Sequence, residues 1–142
     1  MAIERTLAII KPNGVEKNVV GEIISRIESK GLRIVGARFV QLSREKAEGF
    51  YIEHKDKTFF QGLVHFMTGY PIFLLCLEGE NAVFLWREIM GPTDPSKAAP
   101  GTIRKDFGDN IEANAVHGSD SLKSAEREVA YFFDKSQLYN RF

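Results

Sequence analysis

The chain has 142 residues and a mass of 16.0 kDa, which fits one globular domain spanning 1–142. Hydrophobic residues at 44% and charged residues at 27% exclude disordered, collagen-like and coiled-coil compositions. Nineteen Lys and Arg balance nineteen Asp and Glu, so no global positive field holds nucleic acid or an anionic membrane, and an anionic ligand must be gripped locally. The longest apolar stretch, residues 70–77, is far shorter than the ~18 residues of a spanning helix, and M-A-I-E-R-T is no signal-peptide start. A cytoplasmic protein is expected. The single cysteine, Cys76, lies in an apolar run as a core thiol that suits a reducing compartment.

Residues 5–10 form a β-rich run that stops at the turn Lys11-Pro12-Asn13-Gly14, which places Lys11 at a strand's exit. Val20, Ile23, Ile24 and Ile27 recur with helical spacing, and Gly31 stops that helix. Residues 32–42 read as a second strand, followed by Ser43 as an N-cap and a helix with Ala47, Phe50, Tyr51 and His54 on one face. Phe60, Leu63, Val64 and Met67 mark a short helix ending at Gly69-Tyr70-Pro71, so the two helices make a hairpin. Residues 72–77 are a third strand. Asn81 is predicted to cap a helix with Val83, Trp86 and Met90 inward and Gly91 at its end. Residues 92–111 show no periodicity, hold three of the five prolines and exceed the ~12–15 residues of an idle loop, which marks them as functional. Residues 113–116 are a short fourth strand, and Ser121 caps a last helix with Leu122, Ala125, Val129 and Phe132 on one face.

The order predicts an α+β fold: a ferredoxin-like split βαβ arrangement with a four-stranded antiparallel sheet, a helical-hairpin insertion and a long loop. A doubly wound parallel sheet is the alternative, but it asks for more strands.

The common nucleotide and zinc signatures are absent, as is the aromatic string of an RNA-recognition strand. His117 follows a strand, precedes a glycine that admits a ligand closely, and abuts a helix N-terminus. A neutral imidazole can be a nucleophile if a neighbour fixes its tautomer, and Glu128 is the candidate. From position alone, a hydrogen-bonded loop histidine fits equally well. Three dispersed histidines with no regular ligand spacing predict no protein-held metal. Lys11, Arg87 and Arg104 read singly as solvated charges, yet a strand exit, a helix end and a long loop are places from which cations and hydroxyls such as Thr93 can converge on phosphates. Phe59 is either core or a stacking platform at a cleft mouth.

The segment N-A-V-H-G-S-D-S at 114–121 resembles the N-x-x-H-G-S-D-S segment of nucleoside diphosphate kinases of bacterial type. The likeness runs almost end to end, through T-L-A-I-I-K-P at 6–12, Y-I-E-H at 51–54, F-F-Q-G-L at 59–63 and G-T-I-R at 101–104. It implies a ferredoxin-like antiparallel sheet and transfer of the terminal phosphate of a nucleoside triphosphate to a nucleoside diphosphate, in two half-reactions and with little base preference. Carried over by residue, His117 corresponds to the phosphorylated nucleophile, with Ser119 and Glu128 as its supports. Lys11, Tyr51, His54, Arg87, Thr93 and Arg104 correspond to the phosphate-binding set. Lys11 and Asn114 correspond to the sugar contacts, and Phe59, Leu63 and Ile111 to the apolar clamp around the base. The resemblance further implies Mg2+ carried on the nucleotide phosphates, no specific nucleic-acid partner, and a homo-oligomer, tetramer rather than hexamer. Gly69-Tyr70-Pro71, Lys57-Thr58, Pro92 and Asp94 depart from the family's common pattern. A ligand-sensing module is the competing class, and it would not need His117, Glu128, Lys11, Arg87 and Arg104 together.

Overall fold

The computed structural model describes residues 2–141, so the ends of the expected 1–142 domain, Met1 and Phe142, lie outside the described residues. Strand β1 (Ile3–Ile10) sends Leu7 and Ile9 to one side and Ala8 and Ile10 to the other, and all four are fully buried. The period-2 alternation of a strand thus explains a continuous apolar run: both faces of the sheet are covered. Strands β2 (Arg33–Val40), β3 (Ile72–Glu80) and β4 (Val116–Gly118) complete a four-stranded antiparallel sheet among the described residues, in the order β2-β3-β1-β4. This interlocking of two split βαβ units is the predicted topology, and the antiparallel pairings exclude the doubly wound alternative.

Helices α2 (Val20–Ser29) and α5 (Ala82–Met90) cover one face with Ile23, Ile27, Ala82, Trp86, Ile89 and Met90. Helices α3 (Arg44–Phe50), α4 (Phe60–Thr68) and α7 (Leu122–Phe132) cover the other with Ala47, Phe50, Val64, Met67, Val129 and Phe132. Each large side chain buried this way contributes roughly 1.5–3 kcal/mol. Free Cys76 belongs to the second of these cores. Ser43 and Ser121 cap α3 and α7 by accepting from the N–H groups of Lys46 and Ser124, both at 3.1 Å. Gly31 and Gly91 end α2 and α5 at φ +91° and +84°, where a side chain would be strained. No helix among the described residues is long and apolar enough to cross a membrane.

Several expectations need correction. Residues 12–14 are not a bare turn: they open helix α1 (Pro12–Glu16), with Pro12 at the position where its missing N–H costs nothing. Asn81 makes no capping bond, because it adopts φ +51°, and Glu4 Oε1 from β1 accepts the Val83 N–H of α5 at 3.2 Å instead. Val83 is only half-buried, while Ala82 and Ile89 complete the inward face. Leu122 is exposed at the first turn of α7, whose inward face begins at Ala125. His54 leaves the face of α3, since that helix ends at Phe50 and His54 closes a 3-10 turn, Ile52–His54. The loop at 92–111 contains a 3-10 turn, Pro95–Lys97, and helix α6 (Ile103–Phe107), each too short to show a period. The third strand runs on to Glu80, because Arg5 on β1 meets Glu78 at 2.6 Å and keeps that carboxylate in the sheet. The fourth strand starts at Val116 rather than 113. The Ala113 carbonyl accepts the N–H groups of Asp109 and Asn110 in a turn, and Ala115, at φ +75°, redirects the chain into β4.

Candidate functional site

Two elements, β4 and α7, bring the central pair together. His117 is the middle residue of β4, opposite Ile9, rather than the loop residue expected, while Glu128 lies one turn before the end of α7. His117 Nε2 lies 2.8 Å from Glu128 Oε1. Ser119, fully buried, donates its hydroxyl to the same carboxylate oxygen at 2.9 Å, and its Oγ accepts the Leu7 N–H at 3.4 Å. A carboxylate accepts only, so the proton of the imidazole sits on Nε2 and the lone pair on Nδ1. Phe50 presents its ring at 5.4 Å and 76° to the imidazole.

Burial lowers the His117 pKa below its ordinary value, against the raising effect of Glu128, and the positive charges of Lys11 and Arg104 lower it further. The imidazole is therefore neutral at pH 7. Lys11 and Arg104 thus act on His117 through their charge.

Lys11 leaves β1 with its backbone N–H donating to the strained Ala115 carbonyl at 2.8 Å. Its buried ammonium donates to Asn114 Oδ1 at 2.9 Å, and Asn114 Nδ2 donates onward to the Thr93 carbonyl at 3.0 Å. Desolvation first, and Arg104 second, pull the Lys11 pKa down to about 7, with Glu112 opposing. Arg104, on α6, donates to the Gly91 carbonyl at 3.0 Å and the Val116 carbonyl at 2.9 Å. Burial and neighbouring Arg87 lower its pKa to about 10, which leaves it charged at neutral pH. Arg87, Thr93 and Arg104 line a cavity of about 610 Å³ between α5 and the long loop.

A smaller cavity of about 200 Å³ exposes His117 together with Tyr51, His54, Asp120 and Glu128. The Tyr51 hydroxyl is buried with no hydrogen-bond partner among the described residues, and burial together with Glu128 raises its pKa, so it stays a neutral donor. The His54 ring lies 5.5 Å from that of Phe59, which is about half exposed. Ile111 is exposed on the long loop, whereas Leu63 packs partly into the core. Leu63 donates its backbone N–H to the Phe59 carbonyl at 2.9 Å in the first turn of α4, while Ile111 lies on the long-loop side. Their carriers do approach, since a Cβ on Gly62 would lie 3.5 Å from Glu112 Oε2.

Several partners of the site left no trace in the sequence reading. Asn13 Nδ2 donates to Asp109 Oδ2 at 3.0 Å and to the Ala113 carbonyl at 2.7 Å, which ties α1 to the turn that carries Asn114. Arg127 donates to the Gly49 and Phe50 carbonyls, both at 3.2 Å, satisfying the end of α3. Gly118 also has a different role from the one expected. A Cβ there would meet Trp86 and Met90 at 2.6 Å, so its bareness accommodates the core rather than a ligand. No local pattern announces such long-range pairings.

Comparison with known proteins agrees along almost all of the chain. The sequence profile described as nucleoside diphosphate kinase matches residues 4–138. A nucleoside diphosphate kinase from Aquifex aeolicus is 41% identical over 97% of this chain and 100% of its own, with a TM-score of 0.95. A halophilic nucleoside diphosphate kinase from Halobacterium salinarum, solved in complex with CDP, is 44% identical over 99% and 94%, also at 0.95. A nucleoside diphosphate kinase family protein from Babesia bovis is 40% identical over 98% and 94%, at 0.93.

Proposed function

The chain belongs to the nucleoside diphosphate kinase family, and on that premise we propose that His117 is the residue through which it passes the terminal phosphate of a nucleoside triphosphate to a nucleoside diphosphate. The observation that carries this reading is the Glu128 contact at Nε2, which leaves the Nδ1 lone pair as the nucleophile. In the first half-reaction Nδ1 attacks the terminal phosphorus, a P–N bond forms, the bridging P–O bond breaks, and the nucleoside diphosphate leaves. Glu128 retains the Nε2 proton by hydrogen bond and balances the positive imidazole, and Ser119 fixes the carboxylate. The second half-reaction reverses these steps onto the acceptor.

Phosphoryl transfer needs chiefly in-line positioning and neutralisation of the equatorial oxygens. Lys11, Arg87 and Arg104 supply positive charge, and the Tyr51 hydroxyl and Thr93 supply donors. His54 completes the phosphate side. Lys11 and Asn114 meet the sugar, and Phe59, Leu63 and Ile111 the base. Such apolar contacts offer a face to any base without reading its edge, which supports broad base use. The relative with CDP bound supports a nucleoside diphosphate as acceptor. The groups proposed to meet the phosphates, Lys11, Arg87, Arg104, Tyr51 and Thr93, are cationic or neutral, which suits phosphate rather than a bare cation. Lys11, Arg87 and Arg104 would therefore hold Mg2+ only through the nucleotide phosphates, and the ion would supply further neutralisation of phosphate charge. Residues 1–142 act as one domain. The reading places it in the cytoplasm as a homo-oligomer, tetramer over hexamer, a state supported by exposed Phe39 on edge strand β2 and exposed Phe84 on α5. Two-substrate kinetics test the account: double-reciprocal lines that stay parallel as the acceptor is varied support a covalent intermediate, and intersecting lines refute it.

A further inference from the structure

We propose that Trp86 is a positioning residue for His117, holding the backbone of the nucleophile from the face of the sheet opposite Glu128. The proposal rests on the reading of His117 as the phosphorylated residue. Strand β4 is only three residues long, lies at the sheet edge and pairs with β1 alone. The residue before it, Ala115, sits in a left-handed conformation. So short a strand does not fix the root of a side chain by its own ladder.

The missing restraint comes from α5. Trp86, fully buried, donates its indole Nε1–H to the His117 carbonyl at 3.1 Å. The indole also lies tight on the next residue, since a Cβ on Gly118 would come within 2.6 Å of Trp86 Cδ1 and 2.7 Å of Nε1. Arg104 grips the preceding carbonyl, that of Val116, at 2.9 Å. His117 is thus held at its ring by Glu128 and at its peptide by Trp86. A buried indole N–H has no water to turn to, so the bond is kept through the cycle and its loss lets the strand shift. Displacement of a nucleophile by even 1 Å slows in-line transfer while leaving ground-state binding of the nucleotide intact.

Two replacements separate hydrogen bond from packing. Trp86→Phe removes the donor and some volume, and Trp86→3-benzothienylalanine removes the N–H while keeping the shape. Each is mixed with magnesium and γ-labelled ATP, and acid-labile protein-bound phosphate is followed in time. Both variants are expected to reach the wild-type stoichiometry at a rate about fivefold lower, the cost of one net hydrogen bond, with KM for the diphosphate unchanged. Trp86 is the only tryptophan, so the wild-type protein has one indole 1H–15N resonance, and that resonance should move on phosphorylation. A benzothienyl variant that labels at the wild-type rate, or an indole resonance that stays in place on full phosphorylation, overturns the proposal. Wild-type protein that takes no acid-labile phosphate overturns the reading of His117 itself, and the role of Trp86 with it.

Discussion

Lys11 makes the account quantitative, because its amine is buried where an ammonium is costly and the substrate supplies the charge it lacks. In the free protein, desolvation and Arg104 bring its pKa from 10.5 to about 7. A bound polyphosphate placed against it restores the ordinary value of ~10.4. At pH 8 the free amine is then protonated in about one molecule in eleven and the bound one in nearly all, so binding takes up about 0.9 proton. Affinity for the diphosphate should fall up to about tenfold per pH unit between ~7 and ~10. Calorimetry of diphosphate binding at pH 8, without donor and in two buffers of different ionisation enthalpy, measures the uptake directly. Lys11→Met should abolish it and flatten the pH dependence. Equal heats in the two buffers for the wild-type protein would refute the argument, since they mean that Lys11 is already charged before the nucleotide arrives. The same shift sets the stability of the empty protein. Unfolded chains keep the Lys11 proton to ~10.4 and the folded one releases it near 7, so stability rises with pH across that window by at most ~1.4 kcal/mol per unit. His117, also lowered, adds a contribution present above ~6.5 and lost as pH falls through its folded value.

Glu128→Gln keeps a partner for His117 but loses the charge opposite the imidazole, and quenched-flow labelling should show phosphorylation slowed roughly 10- to 100-fold yet not abolished, the scale of a hydrogen bond to a charged group. An unchanged rate would remove Glu128 from the mechanism. Phe59→Ala should weaken purine and pyrimidine diphosphates alike by roughly 10-fold, within the range of a stacking contact. Wild-type discrimination among bases beyond ~10³ in kcat/KM contradicts the apolar clamp. Light scattering should report a multiple of 16.0 kDa at working concentration, and a stable monomer contradicts the assembly.

The fold was readable where a local rule has one outcome. The apolar runs of β1 and β3, the Ser43 and Ser121 caps and the glycine stops at 31 and 91 all follow from near neighbours in the chain. What escaped depends on partners far away. The N-terminus of α5 is capped by Glu4, 79 positions away from Val83, so the local pattern at Asn81 predicts a cap that its backbone conformation denies it. The start of β4 depends on the Asp109 to Ala113 turn and on a left-handed alanine that no propensity predicts. In the site, the pairing of His117 with Glu128 was open to inference because a strand and the helix after it place them 11 positions apart. The Trp86 bond, 31 positions away, was not, because a tryptophan on an inward helix face is core by default. Likewise Gly118 has the same letter whether it makes room for a ligand or for an indole, and only the packing distinguishes the two.

The central claim is a phosphate carried on His117, and one experiment meets it directly. Wild-type protein and His117→Ala are incubated with magnesium and γ-labelled triphosphate without acceptor, then resolved from nucleotide. The wild-type protein should retain label that is acid-labile, base-stable and chased off by any nucleoside diphosphate, while His117→Ala should retain none and show no turnover. His54→Ala, and His65→Ala on helix α4, should still take label. Substantial transfer by His117→Ala would contradict the account and point to direct transfer between two bound nucleotides.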